Sequence, residues 1–178
     1  LTGSWSENAL KEANIIASAK IAGSSKDDNY SYIPKQDALS LDPDAAYVHI
    51  TSNNTIFGTQ YHQFPDVNGK PLVADMSSDI MCRAIDVSQF SLIYAGAQKN
   101  LGPSGVTVII IKDEFAATAN NDLPTMLKYN THITKNSLFN TPPTFPIYMV
   151  KLVLEWVKEQ GGIPAIEAIN RQKAELLY

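Results

Sequence analysis

Two short apolar runs separated by a turn constrain the fold of this chain more than any other feature. The runs occupy residues 91–95 and 106–111, and a Gly-Pro-Ser-Gly turn lies between them at residues 102–105. Short, continuous apolar runs bounded by turn residues are typical of strands that are buried on both faces of a sheet. We therefore expect two neighbouring buried strands here, with a loop between them.

Similar strand and helix patterns occur along the rest of the chain. Short strands are predicted at residues 47–51 and 72–74, and helices at residues 7–22, 148–160 and 163–178. Helices mixed with short apolar strands favour an α/β fold, with a mainly parallel sheet that carries helices on both faces.

The composition excludes several classes of function. A chain of 178 residues with a net charge of -4 can form one well-buried domain and has no basic patch for nucleic acid. Its apolar runs are too short to span a membrane and no signal peptide is visible. A single cysteine allows no internal disulfide and fits a reducing compartment, so we expect a cytoplasmic protein. Cys82 is the only cysteine, and His49, His62 and His132 lack metal-ligand spacing, so no metal site is expected.

Lys99 is the residue most suggestive of chemistry. It follows a run of small residues at the mouth of the loop between the two apolar strands. A lysine desolvated there can lose its proton and form a Schiff base with a carbonyl, whereas the alternative is an ordinary exposed loop lysine. Thr55 and Asp75 also follow predicted strands, and the carboxyl ends of strands are where α/β proteins place functional groups.

Asp75 has two interpretations, as a turn or N-cap residue or as a buried anion that needs a cation. The cation would be Lys99 or the protonated ring nitrogen of pyridoxal 5'-phosphate (PLP). In the PLP hypothesis Lys99 binds the cofactor as a Schiff base and Thr55 hydrogen-bonds its phenolic oxygen. Trp5, otherwise a core or interface aromatic, would stack on the ring, and Gln98 would reach the phosphate.

These residues lie in segments that resemble a known family. Residues 73–105, together with residues 2–6 and 53–58, resemble the phosphoserine aminotransferases, which are fold-type I PLP enzymes of the class V aminotransferase group. The most specific motif is Tyr-Ala-Gly-Ala-Gln-Lys-Asn-Leu-Gly-Pro-Ser-Gly at residues 94–105, and Ala-Asp-Met-Ser-Ser at residues 74–78 matches the aspartate motif. The resemblance covers nearly the whole chain.

The resemblance implies a set of site residues and a partner. The implied cofactor-binding positions are Trp5, Thr55, Asp75, Gln98, Lys99, Asn140 and Thr141, with Lys99 as the catalytic residue. Asn140 and Thr141 are implied to reach the cofactor phosphate of a neighbouring subunit, which implies a homodimer with shared active sites. From the residues alone, this segment is only a turn.

The implied reaction transfers an amino group from glutamate to 3-phosphohydroxypyruvate and gives phosphoserine and 2-oxoglutarate, a step of serine biosynthesis. Residues 1–178 would be the large, cofactor-binding domain, without the family's N-terminal segment and C-terminal small domain. The alternatives are a catalytically inert cofactor-domain fragment and another class V aminotransferase. A cysteine desulfurase does not fit, because its reactive cysteine follows the lysine whereas Cys82 precedes Lys99.

Overall fold

A four-stranded sheet forms the centre of the computed structural model, which describes all of residues 1–178. Its strands are β1 (Val48–Thr51), β4 (Leu72–Asp75), β5 (Leu92–Gly96) and β6 (Thr107–Ile111), in the order β1-β4-β5-β6. β1, β4 and β5 are parallel, and β6 is antiparallel to β5. Two very short antiparallel strands, β2 (Asn53–Asn54) and β3 (Thr59–Gln60), form a separate hairpin directly after β1. The predicted mainly parallel α/β fold is confirmed.

Five helices accompany the sheet. They are α1 (Ser4–Ile16), α2 (Asp113–Ala117), α3 (Tyr129–Thr134), α4 (Thr144–Glu159) and α5 (Ile163–Leu177). The two C-terminal helices confirm the predicted pair, although α4 begins four residues earlier than expected. None of these helices combines the length and the apolar character that a membrane crossing requires.

The two faces of the sheet have different environments. Ile50, Ala74 and Ile93 are register partners on one face, and they lie in the main hydrophobic core together with Val150 of α4. Since successive residues of a strand point to opposite faces, Asp75 points to the other face. The sheet therefore has a packed face, and a second face that carries polar side chains at its carboxyl edge.

The outer strand differs from the prediction of a fully buried apolar run. Ile109 and Ile110 of β6 are 39% and 41% exposed, whereas Leu92 and Ile93 of the adjacent β5 are buried. β6 is the last strand in the sheet order, so only one of its edges is covered by a neighbouring strand. An apolar sequence indicates a strand but does not tell where in the sheet that strand lies.

The first helix was predicted wrongly at both ends. It starts at Ser4 rather than residue 7, because Gly3 is the N-cap and the Ser6 hydroxyl accepts hydrogen bonds from the Thr2 and Gly3 N–H groups. It ends at Ile16 rather than at residue 22, because the backbone is already extended at Ala17. The Asn14 side chain accepts a hydrogen bond from the N–H of residue 19, which favours the departure from the helix.

Candidate active site at the carboxyl edge of the sheet

Three predicted site residues lie at the same edge of the sheet. Asp75 is the last residue of β4, and Lys99 follows the end of β5 in the next loop. Thr55 occupies the turn between β2 and β3, and this hairpin begins directly after β1. Because β1, β4 and β5 are parallel, their carboxyl ends meet at one edge, where α/β sheets bind ligands.

The Thr55 hydroxyl joins two other predicted residues. It accepts a hydrogen bond from the Trp5 indole Nε1 at 3.3 Å and lies 3.5 Å from Lys99 Nζ as a second acceptor contact. Trp5 stands in the first turn of α1 with 48% of its surface exposed, so one ring face can contact a ligand. Lys99 is exposed as well, and the burial expected from its position between two strands is not found.

Asp75 has no cation partner in this chain. Its side chain is half-buried, its Oδ1 accepts a hydrogen bond from the Ser77 N–H at 2.9 Å, and it takes part in none of the four ion pairs of the protein. The interpretation of Lys99 as its cation is therefore wrong, because the lysine amine faces Thr55 instead. Desolvating a carboxylate without a partner is unfavourable, so this position suits a ligand that brings a positive charge.

Close approach between segments at this edge requires glycine. A Cβ atom at Gly3 would lie 2.8 Å from Asn54 Oδ1, the atom that accepts a hydrogen bond from the Thr2 hydroxyl. These contacts join the start of α1 to the hairpin that carries Thr55, and they place Trp5 beside it. Gln98 folds back over Gly96, where a Cβ atom would lie 2.5 Å from Gln98 Oε1.

Asn140 and Thr141 are not part of this cluster. Both are exposed in the segment before α4, and the Asn140 amide contacts Met126 Sδ at 3.2 Å. The structure therefore brings both Trp5 and Lys99 into contact with Thr55. It places Asp75 and Gln98 at the same edge, and it leaves the two remaining positions on the surface.

Comparison with known proteins identifies the family. The sequence model described as "Aminotransferase class-V" matches residues 2–178. The chain belongs to the class-V aminotransferase family.

Individual relatives of this class-V aminotransferase chain are phosphoserine aminotransferases. The enzyme of Geobacillus kaustophilus is 62% identical over 178 residues, which are 100% of this chain and 49% of the relative. A solved phosphoserine aminotransferase, studied for radiation damage of its Schiff base, has 56% identity and a TM-score of 0.96 over 99% of this chain and 49% of its own. A PLP-bound phosphoserine aminotransferase from Trichomonas vaginalis has 34% identity and a TM-score of 0.90, covering 99% of this chain and 53% of its own. The chain thus spans about half the length of the curated relatives it matches.

The sequence analysis missed a buried carboxyl group behind the candidate site. Asp79 is 9% exposed, and its oxygens lie 2.5 Å from Ser52 Oγ and 3.0 Å from Gln60 Nε2. Ser52 Oγ also lies 2.9 Å from the Asp75 carbonyl oxygen, and one hydroxyl hydrogen cannot serve both acceptors. A protonated Asp79 resolves this, because it can donate to Ser52 while Ser52 donates to Asp75. No local pattern distinguishes this aspartate from a surface one.

The pH dependence of stability should reveal this protonation. Burial raises the pKa of Asp79 above its ordinary value of 3.8, against opposing hydrogen bonds from Ser52 and Gln60. The folded state therefore holds the proton more tightly than the unfolded state, and this stabilisation is lost as the pH rises from about 4 through the raised pKa. We expect the unfolding free energy of the wild type relative to Asp79→Asn to fall over that range, since asparagine does not titrate.

Urea unfolding of both proteins at a series of pH values between 4 and 7 measures this difference. The Asp86→Asn variant is the matched control, because Asp86 is an exposed carboxylate whose pKa is lowered by the Ser88 hydroxyl and N–H. Because its lowered pKa places its titration below about pH 4, its effect relative to the wild type should change little across this range. A wild-type advantage over Asp79→Asn that is constant across the range would contradict the protonated state of Asp79.

Proposed function

We propose that this chain is the cofactor-binding large domain, residues 1–178, of a PLP-dependent transaminase that moves an amino group from glutamate to 3-phosphohydroxypyruvate. The observation that carries the proposal is the half-buried Asp75 carboxylate without an ion pair, at the same sheet edge as the exposed Lys99 amine. A carboxylate can pair with the protonated ring nitrogen of a pyridine aldehyde, and a primary amine can react with its aldehyde group. PLP supplies an electron sink for carbanion chemistry when it is bound.

Each predicted site residue has a role that agrees with its contacts. Asp75 would hold the ring nitrogen in its protonated form through charge pairing, and Trp5 would stack on the ring and exclude water from that face. The Thr55 hydroxyl already contacts both Trp5 and Lys99, so it can orient a phenolic oxygen next to the lysine. Gln98, whose side chain lies over Gly96, would contact the phosphate.

Lys99 would act as both the covalent anchor and the proton carrier. Its Nζ atom is exposed and contacts only a neutral hydroxyl, so it is accessible to an aldehyde. Once the amino-acid substrate has displaced it, the free amine would take a proton from the substrate Cα and deliver it to the cofactor carbon that had carried the aldehyde. The same residue can serve both purposes because only its flexible side chain has to move.

The proposed substrates are taken from the similar proteins, and the proposed assembly is a homodimer. Glutamate and 3-phosphohydroxypyruvate are proposed because the similar proteins are phosphoserine aminotransferases. Serine biosynthesis in the cytoplasm is the setting proposed for this activity. A homodimer with shared active sites is proposed because Asn140 and Thr141 lie exposed, away from Lys99 in their own chain. That position leaves both side chains available to a second subunit.

The experiment that tests the function uses the complete encoded polypeptide loaded with PLP. Glutamate alone should yield 2-oxoglutarate, and subsequent addition of 3-phosphohydroxypyruvate should yield phosphoserine, both detected by mass spectrometry. Binding of PLP without release of 2-oxoglutarate would favour an inert fragment. Activity with alanine or serine and glyoxylate, but not with glutamate, would favour another class V transaminase.

A further inference from the structure

A histidine and a tyrosine lie on the sheet face that carries Asp75. His49 of β1 pairs in register with Val73, two residues before Asp75, and Tyr94 of β5 pairs with Asp75 itself. Because alternate residues of a strand share a face, both aromatic side chains project to the same side of the sheet as the carboxylate. No part of the proposed function requires either of them.

The two aromatic side chains are joined across the central strand. His49 Nε2 lies 3.0 Å from Tyr94 Oη, a hydrogen-bond distance, and the two rings lie 6.0 Å apart with an interplanar angle of 27°. β1 and β5 are separated by β4 in the sheet, so this bond passes over β4 next to the residue where that strand ends. The His49–Tyr94 pair is therefore fixed by three strands rather than by a mobile loop.

The charges around the pair define its hydrogen bonds. Burial raises the pKa of Tyr94, and the adjacent Asp75 carboxylate raises it further, with smaller contributions from Tyr129 and Tyr47. Burial lowers the pKa of His49, a shift that Asp75 opposes and the amino terminus reinforces. At neutral pH the tyrosine is thus a neutral phenol with one proton to donate, and the histidine is a neutral imidazole with one N–H.

The two neutral side chains can form a chain of hydrogen bonds in which each one donates toward the Asp75 carboxylate. If His49 carries its hydrogen on Nε2, it donates to Tyr94 Oη, and the Tyr94 hydrogen is then available for Asp75. The opposite direction, with Tyr94 donating to His49, would leave the phenol lone pairs facing a carboxylate. The electrostatic interaction with Asp75 therefore favours the first arrangement.

We propose that His49 and Tyr94 are positioning residues for Asp75: His49 donates to Tyr94, and Tyr94 donates to the Asp75 carboxylate and fixes its orientation toward the ring nitrogen of the cofactor. The inference rests on the proposed function for the identity of the cofactor. The Ser77 N–H holds one carboxylate oxygen by an independent bond, so the tyrosine supplies a second fixed contact to the group. A carboxylate held at two points loses less entropy when it pairs with a ligand.

The test compares Tyr94→Phe, His49→Ala and His49→Gln in the complete encoded polypeptide. Titration of the cofactor-free proteins with PLP should show a dissociation constant about tenfold to a hundredfold higher for Tyr94→Phe, as expected when one charge-assisted hydrogen bond is lost. His49→Ala removes the neutral bond behind it and should raise the dissociation constant by a smaller factor, up to about tenfold. The variant that combines Tyr94→Phe and His49→Ala should bind PLP no more weakly than the single variant with the lower affinity, because both residues act through one chain of hydrogen bonds. His49→Gln should recover much of the affinity, since a glutamine amide can donate from nearly the same place as Nε2.

The control is Tyr61→Phe, which also removes a phenol hydroxyl from a buried tyrosine but lies in the hydrophobic core. Wild-type PLP affinity in Tyr94→Phe, or equal affinity losses in Tyr61→Phe and Tyr94→Phe, would overturn the positioning role. Failure of the wild type to convert glutamate while it still binds PLP would overturn the proposed function alone, because the affinity comparison needs no turnover. Loss of thermal stability without any change in PLP affinity would show that the pair has only a structural role.

Discussion

Replacing Lys99 with alanine should abolish covalent attachment of PLP and lower turnover by about a thousandfold or more, the range expected when an enzyme loses its general base. Alanine removes the amine that lies 3.5 Å from the Thr55 hydroxyl, and no other lysine contacts Thr55. Noncovalent contacts through Asp75 and Trp5 would remain, so weak binding of the cofactor should persist. The measurements are the visible absorbance of the loaded protein and the rate of 2-oxoglutarate formation from glutamate.

Two controls make this result specific. Lys173→Ala removes an exposed lysine of α5 that forms no ion pair, and it should leave the spectrum and the rate unchanged. In the wild type, borohydride reduction followed by peptide mass spectrometry should place the cofactor on the peptide that contains Lys99. A Lys99→Ala protein with the wild-type spectrum would refute the assignment of the lysine.

The second large effect is expected at Asp75. Asp75→Ala should lower turnover by about a hundredfold to a few thousandfold, because removal of one partner from a shielded charge pair costs about 3–5 kcal/mol and each 1.36 kcal/mol changes a rate tenfold. Without PLP the same substitution breaks no ion pair and removes the acceptor of the Ser77 N–H and of the proposed Tyr94 bond, so it should lower the unfolding free energy by only about 1–2 kcal/mol. Steady-state kinetics and thermal unfolding without cofactor measure the two effects separately.

Asp75→Asn is the matched variant that distinguishes charge from structure. The asparagine side-chain oxygen can still accept the hydrogen bond from the Ser77 N–H, so the local turn should be preserved. We expect turnover to fall nearly as far as in Asp75→Ala, with unfolding close to that of the wild type. Full activity in Asp75→Asn would mean that a hydrogen bond, rather than the negative charge, is the contribution of this residue.

Much of the fold could be predicted because hydrophobic patterns are local. The strands at Leu72–Asp75 and Leu92–Gly96 and the helix Ile163–Leu177 agree with the prediction within one residue at each end. The hairpin Asn53–Asn54 and Thr59–Gln60 was not predicted, because strands of two residues show no alternation. The end of α1 was missed because it is marked by a hydrogen bond from the Ala19 N–H to the Asn14 side chain rather than by a glycine or proline.

Only part of the candidate site could be predicted, because sequence patterns are local. Lys99, Asp75 and Thr55 could be recognised because each follows an apolar strand. The PLP hypothesis then added Trp5 and Gln98, and the resemblance added Asn140 and Thr141. His49 and Asp79 carried no signal, since a histidine within a strand and an aspartate within a loop are ordinary in sequence. Only the register of β1 against β4 places the His49–Tyr94 pair beside Asp75.

The sequence by itself determined which segments become strands and helices, and which residues at the strand ends can do chemistry, because both follow from local patterns and motifs. The tertiary structure decided which of those residues meet. Trp5 and Lys99 approach Thr55 from 50 and 44 residues away in the chain, and the carboxylate of Asp75 is left without the lysine as its partner. Contacts over such separations depend on strand order, register and close packing at Gly3, which are properties of the folded chain as a whole.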